Sequence, residues 1–80
     1  MGYTSSTVRL CETVFDITTV SCWLQSRGKI VCDDSREMFF SILHLANKFE
    51  ESFNPDTQDY MESVEEYAEE ELIKRYSPEI

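Results

Sequence analysis

The residues best suited to chemistry are carboxylates gathered in the last third of the chain. Ten of the sixteen Asp and Glu residues lie between Glu50 and Glu71, and no Lys or Arg lies between Lys48 and Lys74. Fixed negative charges without positive neighbours repel one another and attract a basic surface. The chemistry that this segment favours is therefore the binding of Lys and Arg side chains on a partner.

Nucleophiles and metal ligands are sparse by comparison. Cys11, Cys22, Cys32 and His44 lie far apart in the sequence and form no CxxC pair, whereas structural zinc sites usually take their ligands in close pairs. A thiolate at Cys32 activated by His44 is also disfavoured, because His44 would lie about two and a half turns into a helix that begins near Asp34. We therefore expect no enzymatic activity, no metal, no cofactor, and thiols that stay reduced.

Length and composition predict one acidic domain over residues 1–80. The net charge is −9, but 41% of the residues are hydrophobic and 12% are aromatic, which is enough to form a core. Direct binding to nucleic acid or to an anionic membrane is disfavoured, because like charges repel. No apolar run approaches the roughly 20 residues of a transmembrane helix, and no secretory signal is recognisable, so we expect a cytoplasmic protein.

Helical periodicity is clearest in the second half, where the sequence predicts a helical hairpin. Asp34 and its neighbours can cap a helix over about 34–53. Asn54 and Pro55 end it and can begin a second helix over about 55–75. The apolar arcs that should face the core are Met38, Phe39, Ile42, Leu45, Ala46, Phe49 and Phe53 in the first helix, and Tyr60, Met61, Val64, Tyr67, Ala68 and Leu72 in the second.

The first half is rich in β-branched residues, and we expect two or three antiparallel strands within residues 7–32. The alternation is cleanest from Thr18 to Gln25, and Gly28 can supply a hairpin turn. The fold predicted is thus α+β, a small antiparallel sheet packed on the C-terminal helical hairpin. An all-α fold stays open, with a helix that closes at Gly28 and Ile30 packed back on it.

An acidic stripe on the second helix is the predicted contact surface. On a helix, residues three and four apart are neighbours, so the carboxylates form a row about 5 to 6 Å apart. Trp23 and Phe40 are expected outside the core, where aromatic side chains can anchor a partner. The predicted partner-binding residues are Asp56, Asp59, Glu62, Glu66, Glu69, Glu70, Trp23 and Phe40.

These features predict a small protein-binding inhibitor that occupies a Lys/Arg-rich, nucleic-acid-binding surface of a partner by imitating a polyanion. In size and charge the chain is similar to phage-encoded inhibitors of host nucleic-acid-binding proteins, including anti-CRISPR and anti-restriction proteins. That resemblance implies action in the cytoplasm of a host cell. The alternative is a structural or regulatory subunit, or a homodimer, that docks through apolar residues and keeps its acids only for solubility.

Overall fold

The computed structural model describes residues 5–78, and within that range it contains three α-helices and no strand. Helix α1 spans Ser5–Ser26, α2 spans Ser35–Ser52 and α3 spans Tyr60–Tyr76. Side chains are described from residue 8 to residue 78. The protein is therefore an all-α bundle over the part of the chain that is described.

Contacts between the helices fix their directions. Thr13 in the first half of α1 contacts Glu50 near the end of α2, and Ser41 near the start of α2 contacts Tyr76 at the end of α3. Helix α2 is therefore antiparallel to both other helices, and α1 runs parallel to α3. The helical hairpin predicted for the second half is present as α2 and α3.

The predicted antiparallel sheet over residues 7–32 is wrong, because most of that segment is α1. Its inward residues are Leu10, Thr13, Val14, Ile17, Val20, Ser21 and Leu24, which recur at helical spacing. Two of the fully buried positions, Thr13 and Ser21, are polar, and Val8, Phe15 and Trp23 are apolar but exposed. The apolar residues alone therefore do not show the helical periodicity of this segment.

The β-branched threonines of α1 are accommodated by hydrogen bonds to the helix backbone. Thr18 donates to the carbonyl oxygen of Val14 at 2.7 Å, and Thr19 donates to that of Phe15 at 3.0 Å. Bonds of this kind let threonine stay in a helix despite its stiff side chain. Local β propensity is consequently overridden by packing against α2 and α3.

Gly28 ends α1 in the way that the all-α alternative predicted. Its φ is +74°, a left-handed conformation that favours glycine. The Lys29 N–H donates to the Leu24 carbonyl at 2.9 Å, and the Gly28 N–H donates to the Gln25 carbonyl at 3.1 Å. This pair of bonds is a Schellman motif. It turns the chain so that Ile30 returns to the core, where it is 2% exposed.

Helix α2 agrees with the sequence prediction. Asp34 is its N-cap, and Oδ1 of Asp34 accepts the backbone N–H of Arg36 at 3.0 Å. Of the apolar arc, Phe39 alone is wrongly placed, because it lies at the edge of the buried face and is 52% exposed. Phe53 is partly buried and stacks on Phe49, with 5.1 Å between ring centroids.

Helix α3 begins later than predicted. Asn54 does not cap it; instead, its side chain accepts the N–H of Asp56 within a turn that precedes the helix. The N-cap is Asp59, whose Oδ1 accepts the N–H of Glu62 at 3.2 Å. Asn54 and Asp59 are both suitable caps. Because the helix begins after Asp59, Tyr60 enters the core at its first turn.

The core lies along the line where the three helices meet. Apolar side chains from every helix and from the α1–α2 loop fill it: Ile17, Leu24, Ile30, Met38, Ile42, Leu45, Ala46, Phe49, Val64, Ala68 and Leu72. Met61, predicted to be part of it, is 51% exposed. None of the three helices, over the range described, has both the length and the apolar character needed to cross a membrane.

Candidate functional site

One face of α3 presents five glutamates to solvent. Val64, Ala68 and Leu72 are fully buried at a spacing of four residues, which fixes the rotation of the helix about its axis. The surface from the α1–α3 seam around to the outer side carries the carboxylates, of which four are exposed and one, Glu69, is partly covered. The glutamate face, as we call it below, consists of Glu62, Glu65, Glu66, Glu69 and Glu70.

The charge density of the glutamate face resembles that of a nucleic acid strand. Eight residue steps separate Glu62 from Glu70, or about 12 Å at about 1.5 Å per residue. Five carboxylates over that length give roughly one charge per 3 Å, close to the one per 3.4 Å along a single strand of B-DNA. Measured along the helix axis, the linear charge density of the glutamate face is therefore similar to that of one nucleic acid strand.

The glutamate face has no cation of its own among residues 5–78. The ion pairs in that range join Arg9 to Glu50 and join Lys74 and Arg75 to Glu71. Glu71 lies outside the glutamate face, and its Oε1 atom lies 2.6 Å from Nη1 of Arg75. The two basic residues of α3 are thus paired with Glu71, and none of the ion pairs among the described residues involves the glutamate face.

Two predicted aspartates have other roles. Asp59 accepts the Glu62 N–H as the N-cap of α3, so its carboxylate is committed to the helix terminus. Asp56 is exposed in the turn before α3, and its backbone N–H is bound by Asn54. The structure therefore places Glu62, Glu66, Glu69 and Glu70 on one face and leaves Asp56 off the helix.

Trp23 lies beside the glutamate face, although it is on a helix and not on a predicted strand. Parallel packing of α1 against α3 forms an open groove of about 360 Å³ between them. Its lining is Thr19, Val20 and Trp23 from α1 and Glu65 and Glu69 from α3. An apolar floor with acidic residues along one wall suits the side chain of Lys or Arg, since both have an apolar stem and a cationic end.

A guanidinium already contacts the tryptophan of this groove. The Cζ atom of Arg27 lies 4.5 Å from the centroid of the Trp23 ring, within the range of cation–π attraction. Trp23 is 45% exposed, so much of its ring surface is also open to solvent. A cationic side chain that enters the groove would therefore also meet the positive charge of Arg27.

Phe40 is exposed as predicted, but it belongs to a different surface. It is 67% exposed on the outer side of α2, in a shallow depression shared with Arg36, His44 and Arg75. No member of the glutamate face lines that depression. The two predicted aromatic anchors are thus separated, and Trp23 alone accompanies the acids.

A partly buried polar network joins α3 to the other helices. The Thr13 hydroxyl donates to Oε2 of Glu50 at 2.7 Å and lies 3.0 Å from the Tyr60 hydroxyl, which donates to Oδ2 of Asp16 at 2.8 Å. Burial, reinforced by Asp16, raises the pKa of Tyr60 to about 12. Arg9 Nε lies 3.6 Å from Oε1 of Glu50 and closes the network on its outer side.

Sequence reasoning missed three contributors to the site. Glu65 is one turn from both Glu62 and Glu69, so the same helical spacing that identified the stripe could have identified it. Thr19 and Val20 could not have been found, because they join the groove only when α1 is a helix parallel to α3. Cys11, Cys22 and His44 are exposed, and no metal-binding group of three or more His, Cys, Asp or Glu side chains forms within the described range.

Comparison with protein-family models, with curated proteins and with solved structures finds no match. The functional assignment therefore rests on the geometry of the chain.

Proposed function

We propose that this protein is a binding inhibitor that occupies the basic, nucleic-acid-binding surface of a partner protein by presenting the glutamate face in place of phosphates. The proposal includes action in the cytoplasm of a host cell, in the manner of phage-encoded inhibitors. The observation that carries it is the single rigid helix face of five glutamates, none of them paired with a Lys or Arg among residues 5–78. A surface of this kind is complementary to Lys and Arg arranged for a polyanion.

The groove beside Trp23 supports the proposal by adding an apolar contact to the charges. Interfaces gain most of their binding energy from a few buried anchors, and Trp is among the residues most often found there. The Trp23 ring can pack against the apolar stem of a Lys or Arg side chain. The carboxylates of Glu65 and Glu69 can bind the cationic end of the same side chain. The charges would then speed association, and the tryptophan would slow dissociation.

Titration with a nona-arginine peptide tests the proposal, since Trp23 is the only tryptophan and its fluorescence reports on the groove. The triple variant E62K/E66K/E69K should lose binding. The control D33K/E37K/E51K changes exposed acids outside α3, and each triple variant raises the net charge from −9 by six to −3. If the control binds and the α3 variant does not, the result supports binding through the glutamate face. If both variants are weakened equally, binding depends on net charge alone and the proposal is overturned.

A further inference from the structure

A second groove lies on the other flank of the glutamate face, between α3 and the end of α2. It has a volume of about 210 Å³, and its α2 wall includes Phe49 and Phe53. Its α3 wall includes Glu66, Tyr67 and Glu70. We call it the α2–α3 groove, and we call the groove beside Trp23 the α1–α3 groove. The glutamate face is therefore a ridge with a groove along each side.

The two grooves divide four of the five glutamates into two pairs. Glu65 and Glu69 line the α1–α3 groove, and Glu66 and Glu70 line the α2–α3 groove. The members of each pair are four residues apart, so their carboxylates lie on one side of the helix, about 6 Å apart along its axis. Glu62 lines neither groove and lies on the crest between them. Each flank of α3 thus has its own pair of acids.

Both grooves combine their acids with aromatic rings. Trp23 supplies the ring in the α1–α3 groove. In the α2–α3 groove, the partly buried Tyr67 ring lies 5.7 Å from the Phe49 ring, measured between centroids, and Phe49 stacks on Phe53. No Lys or Arg lines either groove, although Arg27 contacts Trp23 from outside the lining. Each groove therefore offers an apolar surface to the stem of a Lys or Arg side chain and carboxylates to its charge.

We propose that the partner straddles α3 by placing Lys or Arg side chains in both grooves at once. The inference rests on the proposed function and specifies the shape of the basic surface that the protein occupies. The two pairs of acids are offset by one residue, or about 100° around the helix, which separates them by roughly 8 Å across the ridge for a helix about 10–12 Å wide. The complementary surface has two rows of cationic side chains about one helix width apart, as in a channel that grips a nucleic acid backbone from two sides.

A linked cationic probe tests whether both grooves are used together. The probe is two triarginine peptides joined by about 12 Gly and Ser residues, a linker whose mean span of about 19 Å is enough to pass over α3. In calorimetric titrations at low salt, the linked probe should bind the wild type at least about tenfold more tightly than one triarginine peptide does. The gain arises because the second contact becomes intramolecular once the first has formed.

Charge-matched variants test whether the gain requires both grooves. E65Q/E69Q removes the acids of the α1–α3 groove, and E66Q/E70Q removes those of the α2–α3 groove. Either variant should bind the linked probe no more tightly than the single peptide. The control D33N/E51Q changes two exposed acids outside α3 and should keep the gain. All three variants raise the net charge by two, from −9 to −7, so net charge alone cannot separate them.

Chemical shifts in NMR spectra locate the bound peptide. Triarginine should shift the signals of Trp23 and of Tyr67, and E66Q/E70Q should abolish the shift at Tyr67 while that at Trp23 persists. If the linked probe binds the wild type no more tightly than the single peptide does, or if D33N/E51Q loses the gain as well, straddling is overturned and the proposed function stands. If neither peptide binds the wild type, the proposed function fails and this inference fails with it.

Discussion

The hydroxyl of Tyr60 donates a hydrogen bond of 2.8 Å to Oδ2 of Asp16, which joins the first turn of α3 to the middle of α1. Since α1 and α3 run parallel, this contact also sets their register. Three residues after Asp16 lies Thr19, and five after Tyr60 lies Glu65; both line the groove between the two helices. The groove next to Trp23 therefore depends on a hydrogen bond that is two turns away from it.

Replacing Tyr60 with Phe should destabilise the protein by roughly 1.5–3 kcal/mol, because the bond lost is one to a charged carboxylate. Y76F is the matched control. It removes the 2.6 Å contact between Tyr76 and Ser41, which is between neutral groups and should cost roughly 0.5–1.5 kcal/mol. Urea unfolding of both variants gives the comparison, and an equal loss would show that Asp16 adds nothing.

Stability should fall as the pH rises from about 10 toward about 12. The pKa of Tyr60 is about 12 in the folded protein against 10.0 when unperturbed, with burial as the main cause. In that interval the folded state holds a proton that the unfolded state releases, so deprotonation favours unfolding. Burial also raises the pKa of Tyr67, which adds to the effect. Denaturant midpoints measured across this range should decline less steeply in Y60F than in the wild type.

At acidic pH, Glu71 should contribute to the loss of stability. Its hydrogen bond with Arg75 is the main cause of a pKa lowered below the ordinary value of 4.5. A carboxyl group of this kind stabilises the fold above its unfolded pKa, and that contribution is lost as the pH falls through the folded pKa. E71Q should therefore flatten the acid side of the stability profile. Denaturant midpoints from neutral to acidic pH measure the difference between E71Q and the wild type, and an equal decline in the two would contradict this role of Glu71.

Removing charge from the glutamate face should stabilise the free protein while weakening its binding to a basic probe. E66Q removes the repulsion between Glu66 and two carboxylates four residues away, those of Glu62 and Glu70. Each such pair costs roughly 0.2–0.5 kcal/mol. The gain should shrink at high salt, where the repulsion is screened. Thermal unfolding at low and high salt measures this. A variant less stable than the wild type at low salt would indicate that Glu66 has a partner within the fold.

Gly28→Ala should destabilise the protein by about 1–2 kcal/mol through the backbone alone. The φ of +74° is costly for any residue with a Cβ. The added methyl group would meet no atom within 4 Å, so steric overlap contributes nothing. Gly28→Asn, which tolerates this conformation better, should cost less. Equal losses for the two variants, measured in urea, would contradict the assignment of the cost to φ.

The sequence alone determined the parts of the protein whose signals are local. The cap at Asp34 and the apolar period from Met38 to Phe49 lie within one helix, and each was readable without its neighbours. The acidic side of α3 was equally readable, because a helix that buries Val64, Ala68 and Leu72 must turn its glutamates outward. Even there the sequence placed the start of α3 too early, since Asn54 and Asp59 are both good caps and only the packing of Tyr60 chooses between them.

Tertiary structure decided the state of α1 and everything that depends on it. Thr13 and Ser21 are buried although they are polar, because the Thr13 hydroxyl donates to Glu50, and Gln25 donates to the hydroxyl of Ser21. Glu50 lies outside residues 7–25, so no pattern within that segment could reveal the inward position of Thr13, whereas the partner of Ser21 lies one turn along the same helix. The proximity of Trp23 to Glu65 and Glu69 is also decided by the tertiary structure. It exists only because two helices more than thirty residues apart in sequence pack side by side.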